Sequence, residues 1–108
     1  MLHYKAIYRK DIEDFPDQEA VGLIIAGEGY LEYLIWDHRA QSWRYDPETA
    51  GFILGRDTYD YRRRPIDRPE AEQIAMAITN GTDPLPSEEE ILEVFRESHR
   101  RRAAGTLD

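Results

Sequence analysis

Residues 29–47 read GYLEYLIWDHRAQSWRYDP, and this stretch decides the fold that we predict for the chain. It contains both tryptophans and three of the seven tyrosines. Aromatic and β-branched residues are typical of strands, and they are concentrated in residues 30–36 and 42–45, on either side of five residues typical of a turn. The stretch therefore predicts a β-hairpin.

The turn also predicts the register of this hairpin. If Asp37 pairs with Ser42 around a four-residue loop, Trp36 lies opposite Trp43 on the neighbouring strand. Cross-strand pairs of large rings contribute roughly 0.2–1 kcal/mol each, so this register is the favourable one.

Hydrophobic alternation and helix-capping residues predict six further elements. Residues 2–10 alternate in the manner of a strand with one face in water, with Tyr4, Ala6 and Tyr8 on one face and His3, Lys5, Ile7 and Arg9 on the other. The apolar run 20–26 indicates a buried central strand. Aspartate or serine precedes each helical segment, and in the last two a glutamate follows three residues later, as in a capping box. Strands are predicted over residues 2–10, 20–26 and 57–66, and helices over residues 46–55, 67–81 and 87–102.

Two short motifs have local interpretations. Gly27-Glu28-Gly29 predicts a tight connection in which glycine supplies a positive φ. In a strand, Arg62 and Arg64 point one way and Arg63 the other, so the arginines form no continuous basic stripe. We interpret them as solvated protection of a sheet edge, with contact to an anion or a partner as the alternative.

These elements predict a single α+β domain over residues 1–108, with a frayed tail from about residue 103. Its small antiparallel sheet has four to five strands. A short helix lies in the middle of the chain, and two C-terminal helices pack on one face of the sheet. In the last helix, Ile91, Leu92 and Phe95 are predicted to face inward.

Composition restricts the classes of function. The chain has no cysteine, which excludes a disulfide framework and a thiolate metal site. The N-terminal residues contain no apolar run of the kind that predicts a signal peptide or a membrane span. A cytoplasmic location without membrane contact is therefore expected. A net charge of −8 argues against nucleic acid as a partner, because such proteins neutralise phosphates with Lys and Arg.

No catalytic motif is present. His3, His38 and His99 lie in different predicted elements and show neither metal-ligand spacing nor a neighbouring nucleophile signature. Five acidic residues in segment 11–19 lack the alternation and mid-loop glycine of a calcium loop. The prediction is therefore a protein that is not an enzyme, with no catalytic residue, metal site or cofactor.

A family resemblance rests on residues 43–54 (WRYDPETAGFIL), 59–75 (YDYRRRPIDRPEAEQIA) and 84–91 (PLPSEEEI) after the Trp-rich hairpin. Over about residues 30–95 the chain resembles small bacterial immunity proteins encoded beside secreted polymorphic toxins. The resemblance implies an inhibitor that binds a cognate toxin enzyme in the cytoplasm, such as a nuclease or a nucleotide-consuming enzyme.

Charge indicates where a protein partner binds. Residues 1–60 carry twelve acidic and six basic residues, whereas residues 61–108 carry ten and eight. Acidic groups speed encounter with a basic toxin cleft, although solubility alone is the other explanation. The predicted contacts are Asp11, Glu13, Asp14, Asp17 and Glu19 in a loop, and Asp37, His38 and Arg39 at the hairpin tip.

Two other classes of function remain open at this point. One is an adaptor or structural interaction domain of unrelated role, which predicts no toxin gene nearby. The other is a small ligand-binding domain or enzyme, which requires a concave pocket lined by Tyr and Arg with perturbed titratable groups.

Overall fold

The structure is a computed structural model that describes residues 1–9, 20–55 and 61–105. In these ranges every pair of neighbouring strands is antiparallel, in the order β4-β3-β2-β1-β5. The predicted α+β class is confirmed. The elements are β1 (His3–Arg9), β2 (Gly22–Ala26), β3 (Tyr33–Asp37), β4 (Ser42–Tyr45), α1 (Pro47–Gly55), β5 (Tyr61–Ile66), α2 (Arg68–Ile78) and α3 (Glu88–Ala103).

The predicted register of the hairpin is confirmed. Asp37 pairs with Ser42 and Trp36 with Trp43, and the two indole rings meet edge to face with centroids 5.3 Å apart. Trp36 is only 5% exposed. The first strand of the hairpin is shorter than predicted, because the Gly27 amide donates to the Glu32 carbonyl and closes a loop ahead of it.

One face of the sheet packs against both C-terminal helices, as the amphipathic patterns predict. Leu92 is the exception, because it is 38% exposed whereas its neighbours Ile91 and Phe95 are buried. Leu85, in the connection before α3, is buried as well. The buried cluster on this face is Leu2, Tyr4, Leu23, Ile25, Leu34, Ala71, Ala75, Leu85, Ile91 and Phe95.

The opposite face packs against α1. Ile7, Ile24 and Ile35 form a second buried cluster there with Ala50 of α1. The prediction that this face of β1 is in water is therefore wrong for Ile7, which is 3% exposed. Strand alternation identifies two faces, but whether a helix covers the second depends on the path of the chain between β4 and β5.

The predicted starts of the C-terminal helices are confirmed by their caps. The Asp67 carboxylate accepts from the Glu70 amide at 3.0 Å. Ser87 and Glu90 form a reciprocal capping box, with each side chain accepting from the other's backbone amide at 3.1 Å. Such caps are worth roughly 1 kcal/mol each, so both helices begin at defined residues.

The strand order gives the sheet two distinct ends. At the first, which we call the hairpin end, the hairpin tip (residues 38–41) lies beside the start of β2, and Arg9 of β1 pairs with Tyr61 of β5. The other end, which we call the glycine end, contains the loop 27–32. Helix α3 runs from the first end to the second, because Trp43 Nε1 donates to the Asp83 carbonyl and His99 contacts Glu32.

Candidate functional site

The hairpin tip is held by Asp37. Its carboxylate accepts from the backbone amides of Arg39 at 2.9 Å and Ala40 at 3.1 Å, and from Arg44 Nη1 at 3.0 Å. These bonds, first of all that from the Ala40 amide, hold the pKa of Asp37 below its usual value. Asp37 therefore stabilises the turn and remains ionised at neutral pH.

His38 connects the tip to the neighbouring strand. An indole N–H only donates, so Trp36 Nε1 donates to His38 Nδ1 at 3.2 Å. The proton of this imidazole then lies on Nε2, which donates to the Val21 carbonyl at 3.0 Å. His38 thus has a positioning role, and the third predicted tip residue, Arg39, is exposed at the turn.

The predicted acidic contacts in segment 11–19 lie outside the described residues. The ends of that segment are nevertheless located. Arg9 ends β1 at the hairpin end, and Val21 is bonded there to His38. The structure therefore brings the attachment points of the acidic segment and the hairpin tip together. The residues concerned are Asp11, Glu13, Asp14, Asp17 and Glu19.

Much of the negative charge of the chain is attached to this end. Segment 10–19 contains five acidic residues and one lysine, and segment 56–60, which leads into Tyr61 at the same end, contains two aspartates and one arginine. Together they contribute −5 of the net −8. The first turn of α3 adds Glu88, Glu89 and Glu90.

A groove between β4 and α3 was not predicted from the sequence. Its volume is about 760 Å³. The sequence predicted a strand that contains Tyr45 and a helix that contains Val94. It did not predict that they line one groove, because only the strand order shows that β4 is the outermost described strand on this side. The groove is lined by Tyr45, Glu90, Glu93, Val94, Glu97, Ser98 and Arg101.

Two of the three carboxylates of this groove, those of Glu93 and Glu97, are ion-paired along α3. Arg100 Nη2 donates to Glu97 at 2.6 Å and to Glu93 at 2.8 Å, and Arg96 also contacts Glu93. Hydrogen bonds from Arg100 lower the pKa of both glutamates. The two groups remain ionised well below neutral pH, unlike general acids or bases, whose pKa lies near the working pH.

Three tyrosines of the helix-covered face each bind an arginine. Arg68 donates to the Tyr4 hydroxyl at 3.0 Å, and Arg102 donates to the Tyr45 hydroxyl. Arg64 donates to Tyr8 at 2.9 Å and also pairs with Glu70, which raises its pKa. The interpretation of the arginine run as solvated edge protection is therefore wrong for Arg64, which joins β5 to the buried tyrosine of β1.

Comparison of the chain with protein-family models, curated proteins and solved structures found no match. Among residues 1–9, 20–55 and 61–105, no three acidic or histidine side chains are grouped as metal ligands. None of the helices in those ranges is long and apolar enough to cross a membrane.

Proposed function

We propose that this chain is an immunity-type protein, which binds and inhibits a cognate bacterial toxin enzyme and is not itself an enzyme. The hairpin end is the proposed contact surface. One observation carries the proposal: the topology attaches two acidic segments and the rigid hairpin tip to the same end of the sheet.

Charge supports this choice of surface. An acidic patch attracts a basic cleft over a distance of about one Debye length, roughly 8 Å at physiological ionic strength, and so speeds encounter. Carboxylates also mimic the anionic groups of nucleic acid or nucleotide substrates. A protein with this surface therefore both finds a basic active site quickly and blocks its substrate.

The rigidity of the tip supports it as well. Asp37 and His38 fix the turn through four hydrogen bonds to backbone and side-chain groups that the free protein already makes. A preorganised loop loses less conformational entropy on binding than a flexible one. Arg39 is then presented to a partner in a defined position.

The test is protection of cells from the toxin encoded beside this gene. Co-expression of the two proteins is expected to restore growth, and the purified proteins should form a one-to-one complex in calorimetry. The matched comparison replaces Arg39 with Ala at the hairpin end and Glu28 with Gln at the glycine end. The first is expected to weaken the complex by roughly tenfold or more, as interface arginines do, and the second to leave it unchanged.

Two results would contradict the proposal. One is a toxin that kills equally well with and without this chain. The other is a complex that forms but is weakened only by the change at the glycine end.

A further inference from the structure

We infer that the outer edge of β4 and the groove beside it bind an extended segment of a partner protein, which adds to the sheet as a further strand and places basic side chains against α3. This surface is separate from the hairpin tip and does not depend on the proposed function.

The backbone of β4 offers hydrogen-bonding groups on its outer side. The Asp46 amide donates to the Tyr33 carbonyl at 3.3 Å, so it points towards β3. Backbone groups alternate along a strand, and those of Trp43 and Tyr45 therefore point away from β3. No strand among the described residues pairs with them, since the sheet order ends at β4.

The two edges of the sheet differ in how they are protected. Edge β5 contains the charged Arg62 and Arg63 and, after Arg64, Pro65, which has no amide proton. Charge and proline are the usual means of preventing strand addition. Edge β4, by contrast, contains no proline and one arginine, Arg44. Strand addition is therefore favoured at β4.

The groove lies on the face of the sheet to which alternate side chains of an added strand would project. The rings of Tyr45 and Phe95 have centroids 6.5 Å apart, so Tyr45 faces α3. Residues that pair across two strands project to the same face. Alternate side chains of a strand added beside Tyr45 thus enter the groove of about 760 Å³, next to Val94.

Charge selects a basic occupant. Three of the seven groove-lining residues are glutamates. Glu93 and Glu97 already pair with arginines of α3, whereas Glu90 accepts from the Ser87 amide, so the acidic excess lies at the start of the helix. In the first half of α3, Glu88, Glu89, Glu90 and Glu93 precede the first arginine, Arg96. An acidic strand would meet these carboxylates at close range, whereas lysine or arginine would be stabilised there.

The test uses two acetylated strand-forming peptides, the basic KVTVKVT and its acidic counterpart EVTVEVT. Each is titrated into the isotopically labelled full chain and followed by NMR. Peptide concentrations up to about 1 mM detect complexes with a Kd as weak as that value. The basic peptide is expected to shift the amide signals of Trp43 and Tyr45 and of residues 90–101. At a free concentration ten times its Kd, it should slow hydrogen exchange of those two amides about tenfold. The acidic peptide should cause neither change.

Paired variants separate this binding from general attraction to an acidic protein. The change Glu90→Gln is expected to weaken the basic peptide about two- to fivefold, given the worth of one exposed charge pair, because Gln still closes the capping box while the charge is lost. Glu48→Gln changes net charge equally, away from the groove, and should leave the affinity unchanged.

Three results would overturn the inference. The two peptides bind equally well, or the shifts are confined to the hairpin tip. In the third, exchange at Trp43 and Tyr45 slows with protein concentration in the absence of peptide, which would mean that a second copy of the chain occupies the edge.

Discussion

Glu32 lies against both glycines of the loop between β2 and β3. Its carboxylate accepts from the Gly29 amide at 2.8 Å and contacts His99 of α3 at 2.7 Å. A Cβ at Gly27 would lie 2.9 Å from the Glu32 Cβ, and one at Gly29 would lie 2.6 Å from its Oε2. At Gly27 a side chain is excluded by the Glu32 Cβ, whereas at Gly29 only the carboxylate end of Glu32 lies close. The predicted positive φ is wrong for both glycines, since in this loop it belongs to Leu31.

Replacing Gly27 with Ala is therefore expected to destabilise the protein by about 1–3 kcal/mol, the usual cost of overpacking. Gly51 is the matched control, because no atom lies within 4 Å of a Cβ at that helical position. Gly51→Ala should stabilise by about 0.5–1 kcal/mol through helix propensity. Urea unfolding measures both changes, and equal effects would show that the Glu32 contact is unimportant.

Glu32 also predicts a dependence of stability on pH. Burial raises the pKa of Glu32, but hydrogen bonds from the Gly29 amide and His99 lower it more, so the folded-state pKa is below the ordinary 4.5. The resulting stabilisation is present above pH 4.5 and is lost as the pH falls through the folded-state value.

Glu32→Gln should therefore cost about 1–2 kcal/mol at pH 7, typical of a hydrogen bond to a charged group. Unfolding curves of the two proteins should converge as the pH is lowered below 4.5. A difference that stays constant over this range would exclude ionisation of Glu32 as its cause.

At the scale of the element, β5 shows that neighbouring arginines have different environments. Arg64 faces the helix-covered side, where it bonds Tyr8 and Glu70, whereas Arg63 points to the opposite side and is exposed. Strand alternation predicted the two directions. It did not predict that Arg64 meets a buried hydroxyl.

Arg64→Gln is expected to lower the free energy of unfolding by about 1–3 kcal/mol, because the Tyr8 hydroxyl and Glu70 lose a charged partner. Arg63→Gln makes the same chemical change at an exposed position on the other face and should stay within about 0.5 kcal/mol of wild type. Thermal or urea unfolding distinguishes the two variants. Similar effects at both positions would mean that charge alone, and not the tyrosine contact, is responsible.

The hairpin makes a second prediction at this scale. Trp36 is 5% exposed and packs against Trp43. Trp36→Ala is expected to cost about 3–5 kcal/mol, a large part of the stability of a domain of this size. Tyr30, 75% exposed, provides the control, since Tyr30→Ala should change the melting temperature little. An unchanged melting temperature for Trp36→Ala would show that the ring does not support the fold.

At the scale of the whole molecule, the uneven distribution of charge predicts how association depends on salt. Replacing Asp14, Asp17 and Glu19 with their amides should slow association with the partner toxin at low salt, because steering by acidic groups is lost. The difference should shrink towards 1 M salt, where the Debye length falls to roughly 3 Å.

The control for this experiment removes the same charge from other parts of the chain. Glu28, Glu48 and Glu72 are exposed and lie outside the acidic segment, and their amides should leave the association rate nearly unchanged. Stopped-flow measurements at low and high salt compare the two triple variants. Equal rates at low salt would assign the acidic segment to solubility alone.

The sequence by itself determined the elements and the register of the hairpin. Local signals suffice for these, because side-chain periodicity, capping residues and turn chemistry act over a few neighbouring residues. The pairing of Trp36 with Trp43 and the starts of α2 and α3 followed from such signals. The acidic character of segment 11–19 was equally visible in the composition.

Only the tertiary structure determined which elements and which distant side chains are neighbours. It placed α1 on the second face of the sheet, β4 at the edge of the described strands, and the attachment points of the acidic segment at the same end as the hairpin tip. It also gave Arg64, Arg68 and Arg102 their tyrosine partners. These contacts join residues up to 64 positions apart, and no local pattern determines them, because strand order and chain crossings depend on packing of the whole core.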